Sequence, residues 1–132
     1  MDLTVDASVI MAVILNEPSK PKLLETTQGA ELLSAPSLPW EIGNALSALF
    51  KRRRIDLAQA ELALKSYRQI PIRLPPLEIE GSVALAEQYA VYAYDAYVIE
   101  CARRYQTSLL SLDRRQCEVA RAEGIATIEV ES

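Results

Sequence analysis

Hydrophobic residues follow two patterns along the chain, short apolar runs and longer segments with apolar residues every three or four positions. Leu3 and Val5 begin a short strand, and Val9, Ala12 and Val13 then follow with helical spacing. The same alternation recurs and predicts five strands, at about 3–5, 30–35, 69–74, 107–112 and 125–130. Strands that alternate with helices indicate an α/β fold with a parallel sheet covered on both faces.

Helical periodicity and capping residues predict the segments between the strands. The predicted helices cover about 8–16, 19–28, 38–53, 57–67, 77–89, 94–105 and 114–123. We expect the core faces to include Ile42, Leu46 and Leu49 in the third helix and Ile79, Val83 and Ala86 in the fifth. Asp56 and Asp113 are suited to cap helices, and Gly29 and Gly124 are suited to end them. The Pro75-Pro76 pair marks a loop, so we expect one domain over residues 1–132.

The composition is that of a globular protein with a full core. Half of the 132 residues are apolar, and the longest apolar run near the N-terminus, 7–15, is too short to span a bilayer. No basic segment precedes this run, as a signal peptide would require. We therefore expect a cytoplasmic protein that does not associate with membranes. In that compartment Cys101 and Cys117 are expected to be reduced packing residues.

Charge and residue usage restrict the chemistry that is available. The net charge of −4 argues against a nucleic-acid binder that uses its whole surface, and the chain contains no histidine. Serine–histidine and cysteine–histidine catalysis are thereby excluded, together with the commonest zinc ligand. Hydrolytic chemistry would have to rest on carboxylates and on a hard cation bound by oxygen.

Four acidic residues occupy equivalent places in the predicted fold. They lie at strand C-termini or helix N-termini, which form one edge of a parallel sheet: Asp6, Glu41, Asp95 and Asp113. Each could be a separate helix cap, because the helix dipole favours an acid there by roughly 0.3–1 kcal/mol. Two carboxylates about 5 Å apart, however, repel by roughly 3 kcal/mol at an effective dielectric constant near 20. Mg²⁺ or Mn²⁺ would relieve this repulsion if the four converge.

Four segments carry a resemblance to a known family. They are Val5-Asp6-Ala7-Ser8, Pro39-Trp40-Glu41-Ile42-Gly43-Asn44-Ala45-Leu46, Tyr94-Asp95-Ala96 and Leu110-Ser111-Leu112-Asp113-Arg114. In this order and spacing they resemble a PIN-domain protein, and more narrowly a VapC-type toxin ribonuclease of a toxin–antitoxin pair. The resemblance covers essentially the whole chain. It implies a PIN-like three-layer α/β/α sandwich with a short, mostly parallel central sheet.

The resemblance implies a metal-dependent endoribonuclease in which the four acids are catalytic. Asp6, Asp95 and Asp113 would ligate Mg²⁺ or Mn²⁺, and Glu41 would ligate it or orient the attacking water. This water would attack phosphorus in line, with the 3′-oxygen leaving and a 5′-phosphate formed. The resemblance assigns supporting positions to Ser8, Asn44 and Ser111, the last standing where many members carry threonine. Tyr97 departs from the family pattern, which commonly has a smaller aliphatic residue there.

The same resemblance implies three partners. These are an RNA substrate, a cognate VapB-type antitoxin held in a groove among the helices at about 8–16, 19–28 and 38–67, and a second copy in a homodimer. Arg114 and Arg115 are candidates for RNA phosphate contact, with a surface ion pair as the alternative. The basic run 51–54 is more simply explained as a solvated helix end. We expect Trp40 and the tyrosines at 89, 92, 94 and 97 to make core or partner contacts rather than to stack on bases.

Two other functions compete with the toxin ribonuclease. One is a PIN-type nuclease that acts in RNA processing without an antitoxin. The other is a non-catalytic α/β module that binds Mg²⁺, similar to a receiver domain. Receiver domains place an acidic pair after the first strand and a lysine near the end, whereas here a single acid follows that strand and the C-terminal third has no lysine.

Overall fold

A five-stranded sheet forms the centre of the molecule. The computed structural model describes residues 1–130. The strands are β1 (Asp2–Val5), β2 (Glu31–Leu33), β3 (Ile72–Arg73), β4 (Ser108–Leu110) and β5 (Thr127–Ile128). All neighbouring strands are parallel, in the order β3-β2-β1-β4-β5. Leu3 of β1 pairs with Leu32 of β2 on one side and with Ser108 of β4 on the other, so β1 lies in the middle.

Seven helices connect these strands. They are α1 (Ala7–Ile14), α2 (Lys20–Thr27), α3 (Leu38–Lys51), α4 (Leu57–Arg68), α5 (Ile79–Tyr89), α6 (Ala93–Arg104) and α7 (Arg114–Ala122). Gly29 and Gly124 follow α2 and α7 with φ of 77°, which confirms them as helix-ending residues. The four strands after β1 are shorter than predicted. Around β3, the prolines at 71, 75 and 76 have no N–H for the ladder, which limits this edge strand to two residues.

The sheet separates two hydrophobic layers. Val5 and Leu110 face a layer built with α1, α2, α3 and α4, and Leu109 faces one built with α5, α6 and α7. Adjacent residues of β4 thus enter opposite layers, as the pleat requires. The predicted three-layer α/β/α sandwich is confirmed. Among residues 1–130, no helix is long and apolar enough to cross a membrane. The single domain over 1–132 stays a prediction, and residues 131 and 132 lie outside the described part.

The inward face of α5 differs from the prediction. Ser82 and Leu85 are buried, whereas Ile79 is 59% exposed and Val83 54% exposed. The reason is the close approach of α5 to α6: a Cβ atom on Gly81 would lie 1.8 Å from Glu100 Oε2. The side of α5 that carries Gly81, Ser82 and Leu85 therefore packs inward, and Ile79 and Val83 point outward. The expected burial of Ile79 and Val83 was wrong.

The helices α3 and α4 show how the core selects small residues. Ile42 and Leu46 are buried as predicted, and Leu49 is half-buried. In α4, by contrast, Ala60 and Ala63 face the core, and the exposed side includes Leu57 and Leu62. The predicted cap of α4 is confirmed, because Asp56 accepts a hydrogen bond from the backbone N–H of Gln59 at 2.8 Å and the Gln59 side chain accepts one from the Asp56 N–H at 2.9 Å.

Candidate functional site

Asp6 lies at the carboxyl end of the central strand and begins α1. Its Oδ1 accepts a hydrogen bond from the backbone N–H of Val9 at 3.3 Å, so Asp6 is the helix cap. The cap explains the turn, but it uses only one lone pair of a carboxylate that is 7% exposed. A buried carboxylate needs further partners to remain charged.

Two serine hydroxyls supply those partners. Ser8 donates to Asp6 Oδ1 and Ser111 donates to Asp6 Oδ2, each at 2.5 Å. The same hydroxyl oxygens accept hydrogen bonds at 3.0 Å from the backbone N–H groups of Leu112 and Asp113. Ser8 and Ser111 therefore attach the turn after β4 to the Asp6 carboxylate. Both were predicted to support the site, and the structure places both against Asp6.

Glu41 lies in the first turn of α3 and points towards the same edge. Ser37, four residues earlier, donates its hydroxyl to Glu41 Oε2 at 2.8 Å. Together with Asn44 and Asp95, Glu41 lines a cavity of about 580 Å³, which we call the acidic cavity. Glu41 and Asn44 are three residues apart on a helix, and this spacing brings both to one cavity as the sequence indicated.

Asp95 and Asp113 are connected through a buried glutamine. Asp113 caps α7 by accepting a hydrogen bond from the Gln116 N–H at 3.2 Å. The Gln116 side chain donates to the carbonyl oxygen of Asp95 at 3.0 Å and is only 3% exposed. Sequence reasoning missed both Gln116 and Ser37. The available signal was local: each is a hydrogen-bonding residue three or four positions from a candidate acid.

The four carboxylates influence one another electrostatically. Burial raises the pKa of Asp6, and the charge of Asp113 raises it further against the opposing serine hydrogen bonds. Burial raises the pKa of Glu41 to about 7, with smaller contributions from Asp6 and Asp95. Burial and the Asp113 charge also raise the pKa of Asp95. In each of these three groups, the charge of another acid of the set contributes to the raised pKa, as neighbouring carboxylates do.

The donor set suits a hard divalent cation. Within residues 1–130, none of these four carboxylates lies within ion-pair distance of a lysine or arginine. No three Asp, Glu or Cys side chains of this part form a closed group that could hold a metal ion. Magnesium needs only one or two carboxylates, because it retains several waters. The residues thus fit such a cation in charge and chemistry, and the ligand set Asp6, Asp95 and Asp113 stays a prediction.

The candidate cationic residues differ from one another. Arg115 approaches Glu118 at 3.7 Å and donates to the backbone carbonyl of Tyr89 at 3.0 Å, as expected of a surface ion pair. Arg114 is exposed and lines a polar cavity of about 770 Å³ together with Asp113. The run 51–54 ends α3, at the opposite end of this helix from Glu41. Arg114 is therefore the cation best placed beside the acids.

Comparison with known proteins places this geometry in a family. A model of the PIN domain matches residues 3–122. No curated protein sequence matches the chain. Among solved structures, PAE2754 from Pyrobaculum aerophilum is similar with a TM-score of 0.71 and 22% identity, covering 96% of this chain and 92% of that chain.

Two further solved structures are similar at lower identity, which establishes the fold alone. VapBC2 from Rickettsia felis, bound to a DNA fragment from its promoter, has a TM-score of 0.69 and 10% identity, covering 99% of this chain and 100% of that chain. FitAcB from Neisseria gonorrhoeae has a TM-score of 0.59 and 15% identity, covering 96% of each chain. PIN domains are generally nucleases. With the family model matching nearly the whole chain and four acids sharing one edge of an α/β/α sandwich, this protein belongs to the PIN-domain family.

Proposed function

We propose that this PIN-domain protein is a Mg²⁺- or Mn²⁺-dependent endoribonuclease and the toxin of a VapBC-type toxin–antitoxin pair. The observation that carries the proposal is the group of four carboxylates at one sheet edge, none of which has a cationic partner among residues 1–130. Three of them, Asp6, Glu41 and Asp95, have a raised pKa. An arrangement of this kind costs stability unless a bound cation offsets it. A purely structural role for each acid leaves that cost unexplained.

The proposed roles divide between ligands and supporting residues. Asp6, Asp95 and Asp113 would hold the cation, directly or through its bound waters, and Asn44 would add an amide oxygen at the rim of the acidic cavity. The bound cation would supply charge neutralisation at a phosphate and a water of lowered pKa. Glu41, whose pKa burial raises to about 7 without a metal, would ligate the cation or orient the attacking water.

The remaining side chains orient this machinery. Ser8 and Ser111 fix both oxygens of Asp6, and Ser37 fixes one oxygen of Glu41. Arg114, exposed beside Asp113, would contact a phosphate of the RNA strand. Arg115 is a weaker candidate, since Glu118 and a backbone carbonyl already engage it.

The partner proposal is supported by the similar structures. VapBC2 and FitAcB are similar to nearly the full length of the chain, and their names are those of paired systems. We infer a cognate VapB-type antitoxin, a homodimer and a cytoplasmic location by the same reasoning. A nuclease of RNA processing without an antitoxin is the alternative. Co-expression with the product of a small gene directly upstream separates the two, because only an antitoxin abolishes cleavage.

The activity is tested by incubating the purified protein with end-labelled RNA in Mg²⁺ or Mn²⁺, with EDTA as a control. We expect endonucleolytic products with 5′-phosphates, and at least a 100-fold loss of rate in Asp6→Asn. Asp56→Asn is the matched control, because Asp56 is also a capping aspartate but lies on α4, away from the acids. Full activity of Asp6→Asn, or cleavage that survives EDTA, would disprove the mechanism.

A further inference from the structure

An uncharged recess opens beside the acidic cavity. It has a volume of about 310 Å³ and is lined by three aromatic rings, Trp40, Tyr94 and Tyr97, with Leu77, Ile79 and Ser37 completing it. We call it the aromatic slot. Within residues 1–130 no charged side chain lines the slot. Its size is at the lower end of sites for small molecules, which is suited to one or two fused rings.

The slot and the acidic cavity are neighbours that share one lining residue. Tyr94 lines both. Ser37 lines the slot and donates its hydroxyl to Glu41, and Trp40 and Tyr94 directly precede Glu41 and Asp95 in the chain. A group in the slot would therefore lie next to a phosphate held at the acids.

The aromatic side chains are unusual in their exposure. Trp40 is 72% exposed, so its expected role in the core is not observed. Tyr94 and Tyr97 meet edge to face, with centroids 6.1 Å apart and planes at 61°. The two tyrosines therefore support each other in a fixed arrangement and leave the indole of Trp40 accessible to a planar ligand.

The geometry points to the aromatic slot as the binding site for one unpaired nucleobase of the RNA strand, adjacent to the bond that is cut. This inference rests on the proposed nuclease function and adds to it. Asp113 and Arg114 line a separate polar cavity, which shares no lining residue with the slot. A strand crossing the edge would place a phosphate at Arg114 and a base between aromatic rings, and the base would account for selection among sequences.

Trp40 makes the test direct, because it is the only tryptophan in the chain and its emission reports on the slot. The probe is a single-stranded octa-adenosine RNA, added to the Asp6→Asn protein in Mg²⁺ so that the strand stays intact. The control probe is an abasic octamer with the same ribose-phosphate backbone. We expect saturable quenching of the emission by octa-adenosine and none by the abasic strand at the same concentration.

Three substitutions locate the effect, with binding measured by the anisotropy of a labelled octamer. Trp40→Leu and Tyr97→Leu should each weaken octa-adenosine binding by about 5- to 100-fold, the usual range for one stacked base. Phe50→Leu is the matched control, since Phe50 is an exposed aromatic residue at the other end of α3, and it should leave binding unchanged. With Asp6 intact, so that the protein can cleave RNA, Trp40→Leu should raise KM for RNA more than it lowers kcat.

Several results would overturn the inference. Equal quenching by the abasic octamer would mean that the backbone, not a base, is bound. Two results together would assign the slot to contact between two copies of the chain. The tryptophan emission would change when the protein alone is diluted, and the Trp40→Leu variant would sediment as a monomer where the wild type sediments as a dimer. Unchanged binding in both slot variants, with normal RNA cleavage, would remove the base site and leave the nuclease intact. Absence of cleavage in the wild-type protein would remove the nuclease, whereas base-dependent quenching would still support the slot.

Discussion

Ser111 donates its hydroxyl to Asp6 across 105 residues of chain, at 2.5 Å. We expect Ser111→Ala to lower the free energy of unfolding by about 1–3 kcal/mol at neutral pH, because a buried charged acceptor loses its partner. Ser111→Thr retains the hydroxyl and should stay close to wild type. Urea denaturation measures the difference. Equal stability of the two variants would show that this hydrogen bond does not support the carboxylate.

The raised pKa values predict how the metal-free protein responds to pH. The pKa of Glu41 is about 7 when folded, against the usual 4.5, so the folded state binds its proton more tightly. The associated stability is complete below about pH 4.5 and is lost as the pH rises to about 7, by up to about 3 kcal/mol. The raised pKa values of Asp6 and Asp95 act in the same direction.

Melting temperature measured against pH in EDTA tests this dependence. We expect the wild-type melting temperature to fall between pH 5 and pH 7, and Glu41→Gln to flatten most of that fall because the amide does not titrate. Adding Mg²⁺ at pH 7.5 should restore stability to the wild type. A melting temperature that rises over this interval would contradict the sign of the shift.

Two glycines in helices should respond in opposite ways to the same substitution. Gly81→Ala should destabilise the protein by about 1–3 kcal/mol, because the new Cβ would overlap Glu100, which Arg103 holds with hydrogen bonds of 2.7 and 3.0 Å. Gly43→Ala has no heavy atom within 4 Å of its added Cβ and should stabilise α3 by up to about 1 kcal/mol. Thermal unfolding of both variants measures the contrast, and equal shifts would refute it.

Buried serines supply a second contrast. Ser82 is fully buried, and within the described residues its hydroxyl has no hydrogen-bond partner, so Ser82→Ala should be neutral or stabilising by about 1 kcal/mol. Ser34, equally buried, donates to the carbonyl oxygen of Val5 at 2.6 Å. Ser34→Ala should therefore destabilise by about 1 kcal/mol. The denaturant midpoints of the two variants should move apart, and a loss of stability in Ser82→Ala would reveal a partner for its hydroxyl.

The sequence predicted the order of elements and the places of the four acids, because both depend on local signals. A change of hydrophobic period marks each strand-to-helix turn. Asp6 directly follows β1, and Asp113 ends the short turn between β4 and α7. The orientation of α5 was not predictable in this way. It depends on how closely Gly81 lets the helix approach Glu100, which is a property of two helices together. Hydropathy alone favoured Ile79 and Val83 for the core, and it therefore predicted the wrong side of α5 as the buried side.

The fine structure of the site was harder to predict for a related reason. Ser37 and Gln116 act through hydrogen bonds whose partners are fixed only when α3, α6 and α7 are in place. A serine or glutamine near a helix start is too common a feature to indicate this role. The supporting role of Ser8 and Ser111 came from the family resemblance, and the structure supplies its physical basis in the two oxygens of Asp6.

The placement of β1 between β2 and β4 has a consequence for synthesis on the ribosome. Asp6 is translated more than a hundred residues before Ser111 and Asp113. Until β4 pairs with β1, one edge of β1 lacks its backbone hydrogen bonds to a neighbouring strand. Asp6 likewise lacks the hydrogen bond from the Ser111 hydroxyl. A nascent chain therefore carries Asp6 long before it can assemble the complete edge, which requires β4 and the turn that follows it.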